Sequence, residues 1–143
     1  MRKQLDDARQ KLQEGGYTCV ILKEEQEYVS RERGVRPLLT LLENENSFQN
    51  GVAADKTVGA GAAHLYVLIG VQAVWANIIS ISAKDVLEKN GIEVFYGECV
   101  PHIINRQGNG ICPIEKAVEN AQNSQDAYMR IVETLQQLQK AKN

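Results

Sequence analysis

The chain has 143 residues, a formal net charge of −2 at pH 7 and an apolar fraction of 43%. These values are typical of a single globular domain, here residues 1–143, that is long enough to bury a core. The chain lacks the excess of basic residues that is typical of nucleic-acid-binding proteins, so we do not expect it to bind nucleic acid. No apolar run reaches the ~20 residues that cross a bilayer, and the charged amino terminus does not resemble a signal peptide. Three cysteines without metal-type spacing fit a reduced setting. We therefore expect a cytoplasmic protein with no membrane partner.

The first part of the chain predicts a helix, a hairpin and a short second helix. Apolar residues share one side of a helix over about residues 2–14, and two glycines end it. Residues 17–23 and 27–30 are β-branched and apolar, and the short polar stretch between them indicates a β-hairpin. Pro37 suits the first turn of a helix over residues 37–44.

Residues 52–70 predict a buried helix with a polar start. Asp55 is a good N-cap, because its carboxylate can accept an unpaired backbone N–H. The helix should run from there to Gly70, and its apolar residues on nearly every side predict burial. Gly59 and Gly61 lower helix propensity by roughly 1 kcal/mol each relative to Ala. Their presence therefore predicts close packing of this helix against a sheet.

The next segments predict a βαβ unit. Residues 73–80 form a nearly continuous apolar run, as expected for a central strand. Ser82 is expected to cap the following helix, and Asn90-Gly91 to end it. Residues 92–96 are the next strand, so a parallel pair with a right-handed crossover is expected.

Two helices are expected to complete the chain, over residues 113–121 and about 124–140. The second has an apolar face formed by Ala127, Ile131, Leu135 and Leu138. This face should pack on the sheet, although pairing with another copy in a homo-oligomer stays open. The order of elements predicts an α/β fold, a sheet with helices on both sides.

The order of hairpin, buried helix, strand, capped helix and strand resembles the cytidine deaminase-like fold. More narrowly, the chain is similar to a small family of uncharacterised prokaryotic proteins assigned to that fold. The stretches that carry the resemblance lie within roughly residues 17–119 and are RGVRPLLTLL, ADKTVGAGAA, SAKDVLEKNGIEV and IINRQGNGICPIEKAV. The resemblance implies a three-layer αβα sandwich with a mixed sheet and the location of a site. It implies no reaction, because the family has no established activity.

Zinc-dependent deamination is not expected. A zinc deaminase needs His or Cys, one residue and then Glu at the start of the buried helix, and Pro-Cys-x-x-Cys at the next helix start. In the resemblance, Asp55-Lys56 and Ser80 to Ser82 stand at these positions. Lys and neutral Ser are not usual zinc ligands. We therefore expect no metal and no cofactor.

An anionic small molecule is the expected ligand. A helix start favours anions, Lys56 adds a positive charge, and Ser80 and Ser82 can donate hydrogen bonds from the neighbouring helix start. The predicted ligand-binding residues are Asp55, Lys56, Ser80, Ser82, Asn105 and Arg106. A nucleotide or nucleoside derivative is the first class to test, by analogy of fold. The alternative is that Asp55 and Ser82 are only caps and that Lys56 is solvated.

Two other features remain open at this point. Cys112 precedes a predicted helix, whose N-terminus can increase the reactivity of a thiol, so Cys112 is a candidate catalytic residue with His102 as its base. The alternative is a small, partly buried side chain. Arg31, Arg33 and Arg36 could bind an anion together or form charged surface. The functional hypotheses are a small-molecule binding protein or enzyme, a non-enzymatic interaction module or covalently modified acceptor, and thiol chemistry.

Overall fold

The computed structural model describes residues 2–44, 47–105 and 107–142. Arg106, one of the predicted ligand-binding residues, lies outside them. In chain order the elements are α1 (Arg2–Gly15), β1 (Cys19–Lys23), β2 (Gln26–Ser30), α2 (Arg36–Glu43), β3 (Val52–Val58), α3 (Ala60–Ile69), β4 (Ala73–Ser80), α4 (Ile81–Lys89), β5 (Glu93–Val100), α5 (Pro113–Ala117) and α6 (Ser124–Lys142).

The strands of the described chain form one mixed sheet in the order β2-β1-β3-β4-β5. β1 is antiparallel to both β2 and β3, while β3, β4 and β5 are mutually parallel. The predicted hairpin and the predicted βαβ unit are therefore confirmed. Because β3 and β4 are parallel neighbours, the helices that follow them, α3 and α4, begin at the same edge of the sheet.

Helices flank both faces of the sheet and enclose two apolar clusters. On one face α1 packs through Leu5, Ala8 and Leu12, and this cluster includes Trp75 of β4. The guanidinium of Arg9 lies 4.6 Å from the centroid of the Trp75 ring, which makes a cation–π contact. The larger cluster on the other face includes residues of α2, α3, α4 and α6. Burial of α3 on this face confirms the prediction from its apolar composition.

The predicted start of α3 is wrong. Asp55 lies within β3, and the N-cap of α3 is Gly59, which has no side-chain cap. Residues of β3 pair with β1 on one side and with β4 on the other, so the backbone hydrogen bonds of Asp55 belong to the sheet. A short polar residue before Gly and Ala is local evidence for a helix start. Here it is outweighed by pairing with strands that are distant in sequence.

The small residues of α3 permit close packing, and two of them, Gly59 and Gly61, lie against α5. A Cβ at Gly61 would lie 2.5 Å from Cγ2 of Ile114, and one at Gly59 would lie 3.1 Å from Oε2 of Glu115. Both distances are shorter than ordinary van der Waals contact. The low helix propensity of glycine is therefore tolerated where α5 crosses the first turn of α3.

The ends of the later helices differ in detail from the sequence predictions. Ser80, not Ser82, is the N-cap of α4, because β4 passes into α4 without a loop and the Ser80 hydroxyl accepts the N–H of Ala83 at 3.2 Å. α5 is shorter than the predicted helix. α6 is confirmed as a long helix, but its apolar face is buried at Ala127 and Ile131 and becomes exposed toward Leu138. No helix in the described ranges is long and apolar enough to cross a membrane.

Candidate functional site

Glu115 connects the starts of α3 and α4. Its side chain is 4% exposed, and both carboxylate oxygens accept hydrogen bonds. Oε2 accepts from the N–H of Ala60 at 2.8 Å and from the hydroxyl of Ser80 at 2.6 Å, and Oε1 accepts from the N–H of Ile103 at 2.6 Å. The starts of helices favour an anion, and here a carboxylate of the chain itself supplies it.

A cavity of about 420 Å³ opens on the β3 side of Glu115. We call it the Asp55 cavity. The charged and thiol side chains that line it are Cys19, Glu32, Arg33, Asp55, Lys56, Cys112 and Glu115. They come from β1, β3, α5 and the loop before α2, so the cavity exists only in the folded chain. It unites Asp55 and Lys56 with Cys112, which the sequence had suggested as a separate site.

Asp55 is a buried carboxyl group with a raised pKa that lines this cavity. It is 8% exposed, and burial raises its pKa from 3.8 to about 7. Hydrogen bonds oppose this effect. Oδ2 accepts from the hydroxyl of Tyr66 at 2.6 Å, Oδ1 accepts from the N–H of Thr57 at 3.2 Å, and the backbone N–H of Lys56 also stabilises the carboxylate. Near neutral pH the carboxyl group can therefore act both as a hydrogen-bond donor and as an acceptor.

Cys19 extends the same polar cluster into the core. Its Sγ lies 3.3 Å from the hydroxyl of Tyr66, and its backbone pairs with that of Asp55 across β1 and β3. Burial, together with the nearby Asp55, raises the pKa of the Cys19 thiol well above its usual value. The protonated thiol is unreactive, because the thiolate is the nucleophilic form of cysteine.

The positive charges near the cavity come from different elements. Lys56 and Arg33 are exposed residues that line the Asp55 cavity. Arg31 instead lies 4.3 Å from the ring centroid of Tyr17 and donates a hydrogen bond to the carbonyl of Gly15 at 2.9 Å. Arg36 begins α2 and does not line this cavity. The three arginines therefore do not converge on one anion site.

A second cavity, of about 450 Å³, lies on the opposite side of Glu115. We call it the His64 cavity. Its lining includes His64, Ser82, His102, Glu115, Lys116 and Ser124, contributed by α3, α4, α5, α6 and the loop that follows β5. The ring Nδ1 of His64 lies 3.0 Å from the hydroxyl of Ser124. Glu115 forms part of both linings and therefore stands between the two cavities.

Comparison with known proteins places the chain in a family. A family model described as "TM1506: Domain of unknown function (DUF1893)" matches residues 7–135. The chain belongs to the DUF1893 family. The crystal structure of a DUF1893 family protein (TM1506) from Thermotoga maritima has a TM-score of 0.86 and 20% identity, and the match covers 93% of this chain and 90% of that one. At this identity the likeness shows a shared fold. A search of curated proteins finds no match.

The fold of this chain separates those predicted ligand-binding residues that the structure describes. Asp55 and Lys56 line the Asp55 cavity, whereas Ser82 lines the His64 cavity and Ser80 is buried between them. Asn105 holds its own loop together, since its Nδ2 donates to Oδ1 of Asn109 at 2.9 Å. These residues therefore do not form one crevice in this structure.

The candidate base for Cys112 also lies elsewhere in the DUF1893 domain. His102 lines the His64 cavity, on the far side of Glu115, while Cys112 lines the Asp55 cavity as the N-cap of α5. Sequence reasoning missed Glu115, Tyr66 and Ser124 as polar partners. No local signal marks them, because each partner lies far away in the chain.

The donor set of this DUF1893 domain does not suit a metal at the helix starts. Gly59, Ala60, Ser80 and Ser82 carry no imidazole, thiolate or carboxylate, and the one carboxylate that reaches the two helix starts, that of Glu115, already accepts three hydrogen bonds from the chain. Across residues 2–44, 47–105 and 107–142, no three His, Cys, Asp or Glu side chains lie close enough together to hold a metal ion.

Proposed function

We propose that this protein binds an anionic small molecule in the Asp55 cavity, with a nucleotide or nucleoside derivative as the first class to test. The observation that carries the proposal is that two cationic side chains, Arg33 and Lys56, share one cavity with the buried carboxyl groups of Asp55 and Glu115. A volume of about 420 Å³ lies within the usual range of small-molecule sites, roughly 300–1,000 Å³.

The carboxyl group and the cationic side chains of the cavity suit the base and the phosphate of a nucleotide, respectively. Asp55 can exchange hydrogen bonds with the amino and ring nitrogen atoms of a base, since its carboxyl group titrates near neutral pH. Lys56 and Arg33 can bind a phosphate or another anionic group where the cavity meets solvent. Gly61 and Ala62 also line the cavity, and N–H groups in the first turn of a helix have no acceptor within that helix.

The proposed scaffold is deaminase-like and zinc-free. Its support is the pair of helices, α3 and α4, that begin side by side after parallel strands. In zinc deaminases the starts of two such helices supply the metal ligands. Here the N–H of Ala60 and the hydroxyl of Ser80 converge instead on the carboxylate of Glu115. An internal hydrogen-bonded anion thus joins two elements that a metal joins in those enzymes.

Lys56→Ala is expected to weaken nucleotide binding by about 10-fold or more, because a hydrogen bond to a charged group contributes ~1.5–3 kcal/mol. Its free energy of unfolding should stay within about 0.5 kcal/mol of wild type, since the side chain is exposed. A thermal-shift screen with mononucleotides and nucleosides, followed by calorimetry on the best ligand, measures both quantities.

Lys3→Ala is the matched control, because Lys3 is an exposed lysine of α1 that does not line the cavity. It should bind the same ligand as tightly as wild type. Equal binding by Lys56→Ala and wild type would contradict the placement of the anion. A screen in which no nucleotide or nucleoside binds would remove the proposed ligand class.

Thiol chemistry at Cys112 is the second candidate, favoured by its position in the lining of the Asp55 cavity. We expect iodoacetamide at pH 7 to modify Cys112 faster than Cys99, another half-buried cysteine that lines neither cavity. A ligand in the Asp55 cavity should slow only the reaction of Cys112. Peptide mapping over time measures both rates, and equal rates would leave Cys112 a packing residue.

A further inference from the structure

The His64 cavity contains a hydrogen-bonded pair of side chains that the proposed function does not use. Nδ1 of His64 lies 3.0 Å from Oγ of Ser124, although 60 positions separate the two residues in the chain. His64 is 8% exposed and Ser124 is 9% exposed, and both line the cavity. The pair is therefore shielded from bulk water yet open to a molecule that enters the cavity.

His64 is neutral at pH 7, because burial lowers the pKa of its imidazole below the usual value. In the tautomer that carries hydrogen on Nε2, Nδ1 accepts the hydrogen bond from the Ser124 hydroxyl. A hydroxyl held by a neutral imidazole is the usual arrangement of an activated serine.

The start of α6 lies beside the same hydroxyl. Ser124 is the first residue of this 19-residue helix, and the carbonyl of Asn123 accepts the first helical hydrogen bond, from Ala127. Oδ1 of Asn123 accepts the N–H of Asp126 at 2.8 Å. The N–H of Gln125 belongs to the same first turn, which has no acceptor within the helix. The residue that follows a nucleophile commonly donates this N–H to an oxyanion.

The His64 cavity is lined by equal numbers of lysine and glutamate side chains. Two lysines and two glutamates line it, together with a second histidine, and these residues are Lys89, His102, Glu115, Lys116 and Glu119. A balanced lining does not select strongly for a charged ligand. Its volume of about 450 Å³ accommodates a small organic molecule.

We propose that Ser124 is a nucleophile, with His64 as its general base, for the hydrolysis of a small carboxylic ester bound in the His64 cavity. Oγ of Ser124 attacks the carbonyl carbon while its proton passes to Nδ1 of His64. The bond from the carbonyl carbon to the leaving oxygen then breaks, and His64 returns the proton to the departing alcohol. Water, activated by His64, hydrolyses the acyl-serine and releases the carboxylic acid.

A fluorophosphonate probe tests the nucleophile without knowledge of the substrate. Oγ of an activated serine displaces fluoride from phosphorus, and intact mass spectrometry detects the phosphonylated protein. We expect wild type to be labelled at Ser124, as located by peptide mapping, and to hydrolyse p-nitrophenyl acetate. His64→Gln should be labelled at least ~100-fold more slowly, because general-base catalysis typically contributes 10²–10⁴-fold.

Two variants keep the test decisive. Ser47→Ala removes an exposed hydroxyl that lines neither cavity and should react like wild type. Ser124→Ala is a small change, and it should retain the near-ultraviolet circular dichroism of wild type while losing both labelling and ester hydrolysis. If wild type is not labelled at Ser124, or if folded His64→Gln is labelled at the wild-type rate, the pair is only a structural hydrogen bond and the proposal is overturned.

Discussion

Glu115→Ala is expected to lower the free energy of unfolding by at least ~3 kcal/mol. The substitution removes the acceptor for two backbone N–H groups and one hydroxyl, those of Ala60, Ile103 and Ser80. Each buried donor left unsatisfied costs about 1–3 kcal/mol, and the three losses share one site, so they do not simply add. The starts of α3 and α4 would both lose their common anion.

Urea denaturation of Glu115→Ala and of wild type measures this effect. Glu119→Ala is the matched control, because Glu119 is an exposed glutamate just beyond α5 and should change stability by less than about 0.5 kcal/mol. Glu115→Gln should fall between the two, since an amide keeps one acceptor oxygen but presents N–H groups to donors. A loss below about 1 kcal/mol for Glu115→Ala would show that the three donors find other partners.

Stability is expected to fall as pH rises, through the titration of Asp55. Its pKa is raised from 3.8 to about 7 in the folded protein, so the folded state holds more protons than the unfolded chain between these pH values. This contribution to stability is fully present below pH 4 and is lost as pH rises through 7. With about 1.4 kcal/mol for each pKa unit, the loss is on the order of 4 kcal/mol.

Asp55→Asn isolates this contribution, because every other titrating group is present in both proteins. The difference in free energy of unfolding between variant and wild type should shift by about 2–3 kcal/mol in favour of the variant from pH 5 to pH 8. Urea titrations at the two pH values measure the shift. A constant difference would mean that Asp55 titrates in the folded protein as it does in the unfolded chain.

Sequence patterns predicted the elements whose signals are local. The hairpin of β1 and β2 follows from two β-branched, apolar segments around a short polar turn, and the end of α4 follows from Asn90-Gly91. β4 and β5 follow from apolar runs of strand length with a helix between them. These signals are the hydrophobic pattern, the residues at helix ends and the turn residues, and each spans only a few positions. They can therefore be recognised in the sequence without knowledge of the tertiary structure.

The same local reasoning misplaced Asp55. A short acidic residue before a Gly- and Ala-rich run is typical of a helix start. In the folded chain, pairing of Asp55 with Cys19 of β1 and with Ala76 of β4 keeps this part of the chain extended. The consequence for the site is large, because Asp55 becomes a buried acid that accepts a hydrogen bond from Tyr66 instead of an N-cap.

The sequence by itself determined the α/β class, the parallel βαβ unit and the burial of α3, since hydrophobic pattern and turn chemistry specify these features. Only the tertiary structure decided which polar groups meet. Glu115 accepts hydrogen bonds from Ala60, which lies 55 positions earlier in the chain, and from Ser80, which lies 35 positions earlier. His64 contacts Ser124, which lies 60 positions later. Such pairs form because a polar group that is buried away from water needs a hydrogen-bond partner. The fold determines which partner is near, so the spacing of residues in the sequence does not predict the pair.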